Sequence, residues 1–258
     1  MTYSVQPSDL KPETPPAMGD WYAYARPLAA PRLHLICFHC AGGSAMAYRG
    51  WDAFLPGDIA LWPVELPGRG RRGRERPLED VARMADALFE QMRPLLEAPH
   101  ILFGHSMGAA LALEIARRSE AAGLAPARLL AVSARRAPQS APRAPLSDLS
   151  DGALMRRLAD LGGTPREVLA SEDMMAFLLP IFRADLLAND RYIAPALPLA
   201  APIAAYGGES DAALPPGALS DWAFYTKSRF STRLFAGGHF YLNDAPAALL
   251  EQILEDAR

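Results

Sequence analysis

The sequence predicts an α/β fold: a mostly parallel central sheet flanked by helices, with a helical lid inserted between two strands. Three observations lead to this prediction. Short apolar runs alternate with longer amphipathic runs along most of the 258 residues. Several apolar runs end at glycines, as buried parallel strands do where their carboxyl ends line a site. From residue 146 to 192 the alternation stops, and helical patterns follow one another.

These patterns divide the chain into three parts. Residues 1–18 are polar and rich in proline, which predicts a flexible N-terminal tail. Residues 19–145 and 193–258 form the predicted α/β core. Residues 146–192 form the helical insertion, which we call the lid.

The first half of the core contains two strands, a helix, and then a strand that turns sharply into a second helix. Residues 33–39 and 59–65 are mostly apolar runs that end at glycine-containing loops, and each predicts a strand. Residues 78–96 carry apolar side chains at spacings of three and four, which predicts a helix with one buried face. Residues 100–103 are apolar or aromatic and predict a strand, and a helical run without glycine or proline follows Gly108.

The second half begins with a strand at 128–133, after which the lid follows. Within the lid, Thr164 is a suitable N-cap for a second helix, and Pro165 suits its first helical position. Strands and a closing helix resume after the lid. The predicted elements are three lid helices (151–161, 165–169, 171–189), two strands (201–207, 232–236) and a C-terminal helix (245–254).

Composition excludes several classes of function. The formal net charge is −3, so the overall field attracts neither nucleic acid nor anionic membranes. No apolar run approaches the roughly 20 residues that span a bilayer, and the N-terminus lacks a signal pattern, so we expect a cytoplasmic protein. Cys37 and Cys40 form a C-x-x-C without a second cysteine pair, so we expect no metal and no redox role.

The stretch from Gly104 to Gly108, Gly-His-Ser-Met-Gly, has the G-x-S-x-G spacing of a nucleophile elbow. Glycines two residues before and after Ser106 let neighbouring backbone approach where a side chain would collide. The helix that begins after the serine directs unpaired N–H groups toward the hydroxyl, which favours an oxyanion there. Ser106 is therefore the candidate nucleophile and the Met107 N–H a candidate oxyanion donor. The alternative is a non-catalytic, glycine-rich turn into a buried helix. A catalytic role for Ser106 requires a base and an acid elsewhere in the sequence.

A catalytic serine needs a base that accepts its proton and an acid that orients the base. His239 is the only histidine after Ser106, and it lies on a Gly-Gly loop after an apolar strand. Asp211 follows the preceding strand and is the preferred acid, with Glu209 as the alternative. The second oxyanion donor must come from the loop after the first strand, where Ala41 is placed to supply it.

Six motifs follow one another between residues 20 and 255: FHCAGGSA (38–45) with Tyr48 and Trp51, LPGRG (66–70), GHSMG (104–108), LGGTP (161–165), GGESD (207–211) and GHFYL (238–242). Together they resemble the type II thioesterases of polyketide and nonribosomal peptide synthesis. The family usually has Phe-Pro followed by His or Tyr before Ala-Gly-Gly, whereas this chain has Phe38-His39-Cys40.

The resemblance implies an α/β-hydrolase fold with a mobile helical lid. It implies an enzyme that hydrolyses small acyl groups stranded on the phosphopantetheine arm of an acyl or peptidyl carrier protein. It further implies that the protein has no cofactor of its own, and we expect a monomer. The family's site residues carry over as the triad Ser106, Asp211 and His239 and the oxyanion donors Ala41 and Met107.

Two surfaces allow more than one interpretation. Residues 69–76 contain five arginines, and this loop either contacts the carrier protein or pantetheine phosphate, or is simply solvated. Apolar lid residues either line an acyl chamber or pack the lid against the body. The candidates for binding the acyl group are Met155, Met175, Leu178 and Phe182.

Three other functions remain open at this point. The same triad serves a general carboxylesterase acting on small esters, which substrate preference would reveal. A thioesterase that releases chains from a fatty acid synthase would show chain-length selectivity. A non-catalytic carrier-binding module would leave Ser106 inert to a fluorophosphonate.

Overall fold

The computed structural model describes residues 19–138 and 145–258, so the predicted tail over residues 1–18 lies outside the described residues. Strands and helices alternate before and after the lid, as the sequence predicts. The strands are β1 (Leu33–Phe38), β2 (Ile59–Pro63), β3 (His100–His105), β4 (Leu129–Ser133), β5 (Ile203–Gly208) and β6 (Phe230–Phe235). The helices are α1 (Val81–Leu96), α2 (Met107–Ala121), α3 (Asp151–Leu161), α4 (Arg166–Leu169), α5 (Glu172–Arg191) and α6 (Pro246–Asp256).

The six strands of the described residues form one sheet in the order β2-β1-β3-β4-β5-β6, and every neighbouring pair is parallel. This confirms the predicted α/β fold with a parallel sheet flanked by helices. Alternate residues of each central strand enter two different cores, because successive side chains point to opposite faces of a sheet. One core contains the buried faces of α1 and α2, and the other contains α6. The carboxyl ends of the strands therefore meet at one edge between two helical layers.

The helices α1 and α2 lie beside the first core. Asp80 is the N-cap of α1 and accepts a hydrogen bond from the Arg83 N–H over 2.8 Å, so this helix begins three residues later than predicted. Residues 107–116 of α2 are all buried, because this helix packs between the sheet and α1. No helix in the described part of the chain is both long and apolar enough to cross a bilayer.

The lid contains α3, α4 and α5, which lie between β4 and β5 in the chain. Ser150 and Ser171 cap the first and third of these helices through their hydroxyl groups. The predicted start of α4 is wrong by one residue: Pro165 has a ψ of 144° and is itself the N-cap, so Thr164 lies outside the helix. A small hydrophobic cluster joins α3 to α5, separate from the two sheet cores. Its buried members are Leu154, Leu158, Phe182 and Leu186.

Two buried histidines on and after β1 are held in the neutral form. His34 Nδ1 accepts a hydrogen bond from Trp62 Nε1 over 2.8 Å, and it accepts only while it carries no proton. Burial, aided by repulsion from His100, lowers the pKa of His34 to about 4. Burial, aided by the nearby Arg69, lowers the pKa of His39 to about 3. Both rings take up a proton more readily in the unfolded chain, where the pKa of histidine is about 6.5.

We therefore expect the free energy of unfolding to fall as the pH is lowered from about 6.5 toward 4. Each of the two histidines contributes up to about 1.4 kcal/mol per pH unit, because the unfolded state binds a proton that the folded state does not. Urea unfolding at pH 7.5, 6.5, 5.5 and 4.5 measures this slope. His34→Gln keeps an acceptor for Trp62 Nε1 but does not titrate, so this variant should show a shallower slope. An equal slope in both proteins would contradict a neutral His34.

Candidate active site

Ser106 lies at the sharp turn between β3 and α2, with φ 55° and ψ −115°. A positive φ is uncommon for a residue with a side chain and marks a strained backbone. The Ser106 N–H donates to the Ser133 carbonyl over 2.8 Å, which anchors the turn to β4. A Cβ on Gly104 would lie 2.2 Å from the Gly108 carbonyl oxygen, and a Cβ on Gly108 would lie 2.1 Å from the Phe38 oxygen. The structure thus has the close backbone approach that a nucleophile elbow requires.

Asp211 and His239 follow the neighbouring strands β5 and β6, and the structure brings their side chains together. His239 Nδ1 lies 2.7 Å from Asp211 Oδ2, and both residues are buried. Asp211 Oδ1 accepts a second hydrogen bond from the Ala213 N–H over 2.8 Å, which fixes the carboxylate. Because the carboxylate accepts at Nδ1, that atom carries the proton, and Nε2 is free to act as a base.

Glu209, the alternative acid, lies away from the histidine. Its side chain is exposed, and its backbone N–H donates to the Phe235 carbonyl over 2.9 Å at the end of the β5–β6 ladder. The carboxyl group two residues later is the one that enters the site. The geometry therefore favours Asp211 over Glu209.

The ring of His239 packs against two aromatic neighbours. Its centroid lies 5.2 Å from that of His105 and 5.1 Å from that of Phe240. Burial holds the pKa of His105 well below its usual range, and repulsion from His239 acts in the same direction. His105 Nδ1 also lies 2.9 Å from Ser133 Oγ, which fixes the ring. Because His105 is neutral, it does not repel the positive charge that forms when His239 takes up a proton.

A cavity of about 120 Å³ opens beside the elbow, and Ser106, His239 and Ala41 all line it. Its remaining wall comes from the loop after β1, from the lid and from the loops after β5 and β6. These lining residues are Cys40, Gly42, Gly43, Leu146, Leu154, Arg157, Leu158, Leu161, Gly163, Thr164, Phe182, Leu186, Asn189, Ala213 and Phe240.

The lid contributes different residues to the cavity from most of those expected. Of the four candidates for binding the acyl group, Phe182 lines the cavity, whereas Met155, Met175 and Leu178 do not. Met155 follows Leu154 by one position and is turned by about 100° around α3, away from the cavity. Met175 and Leu178 share the face of Phe182 on α5 but lie about 10 Å and 6 Å farther toward its N-terminus.

The lid residues that line the cavity share one face of each helix. Leu154, Leu158 and Leu161 recur at i, i+4 and i+7 on α3 and face the cavity. Phe182, Leu186 and Asn189 have the same spacing on α5, and all three line the cavity. Which face of a lid helix turns inward depends on how the lid packs, and the sequence pattern alone does not specify it.

The two candidate oxyanion donors approach Ser106 from different elements. Met107 is the first residue of α2, and its N–H is among those without an acceptor inside the helix. Ala41 lies in a turn after β1, which the Gly43 N–H closes on the Cys40 carbonyl over 3.0 Å. The next backbone N–H, that of Gly42, donates over 2.8 Å to Asp185 Oδ2 on α5. The lid thus contacts the loop that carries Ala41.

The arginine-containing loop is neither wholly solvated nor wholly available to a partner. Arg69 and Arg72 are buried, while the other arginines of the loop, at 71, 74 and 76, are exposed. Arg72 pairs with Glu75 over 2.6 Å and stacks on the Trp21 ring at 3.4 Å from its centroid. Arg69 pairs with Asp185 of the lid.

Both cysteines have free thiols. Cys37 is buried within β1, and Cys40 lies at the cavity wall. Burial, aided by the charge of Asp185, raises the pKa of Cys40 to about 12, so this group is a thiol and a poor nucleophile at neutral pH. Over residues 19–138 and 145–258, no cluster of three or more His, Cys, Asp or Glu side chains is arranged to hold a metal ion.

Comparison with known proteins yields one family and several similar proteins. The model of the thioesterase domain family matches residues 33–257. The gramicidin S biosynthesis protein GrsT of Aneurinibacillus migulanus is 34% identical over 244 residues, which are 93% of this chain and 95% of that protein.

Two solved structures resemble the fold closely. The type II thioesterase BorB from the borrelidin biosynthetic cluster is 39% identical, with a TM-score of 0.83 over 92% of this chain and 98% of that one. The RedJ thioesterase from the prodiginine biosynthetic pathway of Streptomyces coelicolor is 34% identical, with a TM-score of 0.82 over 98% of this chain and all of that one.

Proposed function

Because the chain belongs to the thioesterase domain family, we propose that it is a type II thioesterase that removes acyl groups from carrier proteins in polyketide or nonribosomal peptide synthesis. Membership of the family makes it a hydrolase that acts on thioesters. The similar proteins named above support the biosynthetic setting. The observation that carries the proposal is that the elbow serine and the paired histidine share one small cavity with the loop that carries Ala41.

In the proposed reaction, the Ser106 hydroxyl attacks the thioester carbonyl while His239 Nε2 takes its proton. Asp211 accepts the hydrogen bond from Nδ1 and stabilises the imidazolium that forms. The proton then passes from His239 to the leaving sulfur, so a thiol departs and an acyl-enzyme remains. Water attacks this ester with His239 again as the base, which releases the acid and restores the serine hydroxyl.

Each of the two steps passes through an oxyanion on the former carbonyl oxygen. The N–H groups of Ala41 and Met107 are proposed to hold it, and a donor of this kind is worth about 3–4 kcal/mol in related acyl-transfer chemistry. All the groups that the reaction needs are side chains or backbone of this protein. The proposal therefore includes no cofactor beyond the phosphopantetheine arm of the substrate.

The size of the cavity favours small acyl groups. At about 120 Å³ it is smaller than the roughly 150 Å³ cavity that holds a benzene molecule in another protein. Leucine side chains and Phe182 form much of its wall, which suits a short alkyl chain. The proposed partner is an acyl or peptidyl carrier protein. The enzyme is proposed to act on it in the cytoplasm as a monomer.

Hydrolysis of acetyl, propionyl and octanoyl groups on a phosphopantetheinylated carrier protein tests the proposal, beside p-nitrophenyl acetate. We expect acetyl and propionyl release to be at least about tenfold faster than octanoyl release, because one methylene in a tight pocket is worth about 1–3 kcal/mol. Cleavage of the ester alone would instead identify a carboxylesterase. Preference for octanoyl would identify a chain-releasing thioesterase, and a Ser106 inert to a fluorophosphonate would identify a binding module.

A further inference from the structure

A buried ion pair connects the lid to the body of the protein. Asp185, in the middle of α5, is fully buried, and the side chain of Arg69, after β2, is only 4% exposed. The pair is bidentate: Arg69 Nη1 lies 2.5 Å from Asp185 Oδ2, and Nη2 lies 3.0 Å from Oδ1. Neither residue lines the cavity, and neither takes part in the reaction proposed above.

The remaining hydrogen bonds of this pair reach two loops of the body. Asp185 Oδ2 also accepts the Gly42 N–H over 2.8 Å, in the turn that carries Ala41. The Arg69 guanidinium donates to the Pro67 carbonyl from Nε and Nη2, and to the Gly43 carbonyl from Nη1 over 3.4 Å. One carboxylate and one guanidinium thus connect α5 to the loop after β1 and the loop after β2.

Stability alone does not account for such a pair. Removing two charges from water costs about as much as their attraction returns, and apolar side chains of similar volume often serve as well. A planar guanidinium and a carboxylate do, however, specify direction, because their hydrogen bonds have fixed geometry. The pair is therefore suited to orienting a neighbouring group.

The group that Asp185 orients is the central peptide of the turn from Cys40 to Gly43. Gly42 has a φ of +69° at the third position, as in a type II turn. In a type I turn this peptide is reversed, and the Ala41 carbonyl would then face Asp185. An ionised carboxylate accepts hydrogen bonds and donates none, so it stabilises the observed peptide and disfavours the reversed one.

A second side chain of α5 presses on the same glycine. A Cβ on Gly42 would lie 1.9 Å from Cε1 of Phe182, so this ring fills the space beside the missing side chain. Phe182 and Asp185 are three residues apart and lie on one face of α5. The helix therefore contacts the turn through both an apolar ring and a carboxylate.

We infer that Asp185, held by Arg69, is a positioning residue that makes the oxyanion geometry at Ala41 depend on α5 lying against the body. The inference rests on the proposed function, since it concerns the donor role of Ala41. Without the Asp185 carboxylate the Gly42 N–H has no acceptor, and the turn can reverse its central peptide. The Ala41 N–H lies on the preceding peptide, between Cys40 and Ala41, so its direction depends on the turn keeping the observed shape.

The test uses a double variant that removes both charges and so leaves no unpaired ion buried. Arg69→Met with Asp185→Leu deprives the Gly42 N–H of its acceptor but keeps the volume filled. We expect kcat for p-nitrophenyl acetate to fall by about 10- to 100-fold with KM within about threefold, because the lost interaction acts on the transition state. Affinity for a trifluoromethyl ketone, which binds as an oxyanion, should fall by a similar factor.

Two single variants make the result specific to this contact. Asp185→Asn keeps a carbonyl acceptor for the Gly42 N–H, so its kcat should lie between those of the wild type and the double variant. Asp151→Asn alters an exposed lid ion pair with Arg183, away from the turn, and should leave kcat unchanged. If the double variant does not fold, the Asp185→Asn variant carries the comparison alone.

Wild-type kcat and ketone affinity in the folded double variant, or in Asp185→Asn when only that variant folds, would overturn the inference. A parallel loss of kcat and gain in KM, with ketone affinity unchanged, would also overturn it, since that pattern indicates a general disturbance of the pocket. The ester probe separates this inference from the proposed function: a wild-type protein that cleaves the ester but not carrier thioesters contradicts the proposed function and still tests Asp185.

Discussion

Ser106→Ala is expected to lower the hydrolysis of carrier thioesters and of p-nitrophenyl acetate by at least about 10⁴-fold. Alanine offers no atom that can form the acyl-enzyme, so water must attack the substrate directly. The oxyanion donors and the cavity remain, and they account for the activity that is left. Rates with acetyl-carrier protein and with the ester, measured at the same enzyme concentration, give the factor.

The fold should not change in this variant. Ser106 contacts β4 through its backbone N–H, which donates to the Ser133 carbonyl and is kept by alanine. Alanine also has a Cβ, so the strain at φ 55° is the same. Thermal unfolding should therefore stay within a few degrees of the wild type, corresponding to less than about 1 kcal/mol.

A neighbouring serine supplies the control. Ser210 is exposed on the loop that precedes Asp211, and its structural contact is a backbone hydrogen bond to the Gly237 carbonyl. Ser210→Ala should keep wild-type activity. Removal of a catalytic serine lowers the rate by far more than tenfold. If Ser106→Ala keeps more than about a tenth of the wild-type rate, Ser106 is therefore not the nucleophile.

Asp211→Asn should lower kcat by roughly 10³- to 10⁴-fold. The asparagine amide can donate to His239 Nδ1, which places the histidine proton on Nε2, the atom that must act as the base. The amide oxygen can still accept the Ala213 N–H, so the loop should keep its shape. Steady-state kinetics with acetyl-carrier protein and reaction with a fluorophosphonate both report the loss.

Glu209→Gln is the matched variant, since it neutralises a carboxyl group only two residues away. Its side chain is exposed and lies apart from the histidine, so kcat should stay within about twofold of the wild type, as for surface substitutions in general. Full activity in Asp211→Asn, together with a large loss in Glu209→Gln, would show that the acid has been misassigned.

Most of the fold was predictable because its signals are local. Apolar runs that end at glycine mark buried parallel strands, and the six strands that the structure describes were predicted to within a few residues. Errors occurred at boundaries, where one hydrogen bond decides. Asp80 is the N-cap of α1, so this helix begins three residues later than predicted. Pro165 has an extended ψ and is the N-cap of α4, the position that was predicted for Thr164.

The site was predictable where chain order and neighbouring residues define it. Ser106 stands between two glycines at a strand-to-helix turn, and His239 is the only histidine that follows it. Their catalytic roles remain predictions for the variants above. The sequence did not single out the acid, because Asp211 and Glu209 follow the same strand. Only the direction of the chain after β5 brings Asp211 to the histidine.

The sequence by itself determined the fold class, the place of the elbow, the lid as a helical insertion and a short set of candidate residues, because each depends on patterns within a few neighbouring positions. Only the tertiary structure decided which lid residues line the cavity and what Arg69 does. Arg69 meets its partner Asp185 across 116 residues of chain, and a lid helix faces the cavity with whichever side its packing selects. Local sequence patterns specify neither the distant partner nor the rotation of a helix, since both follow from how the finished elements pack together.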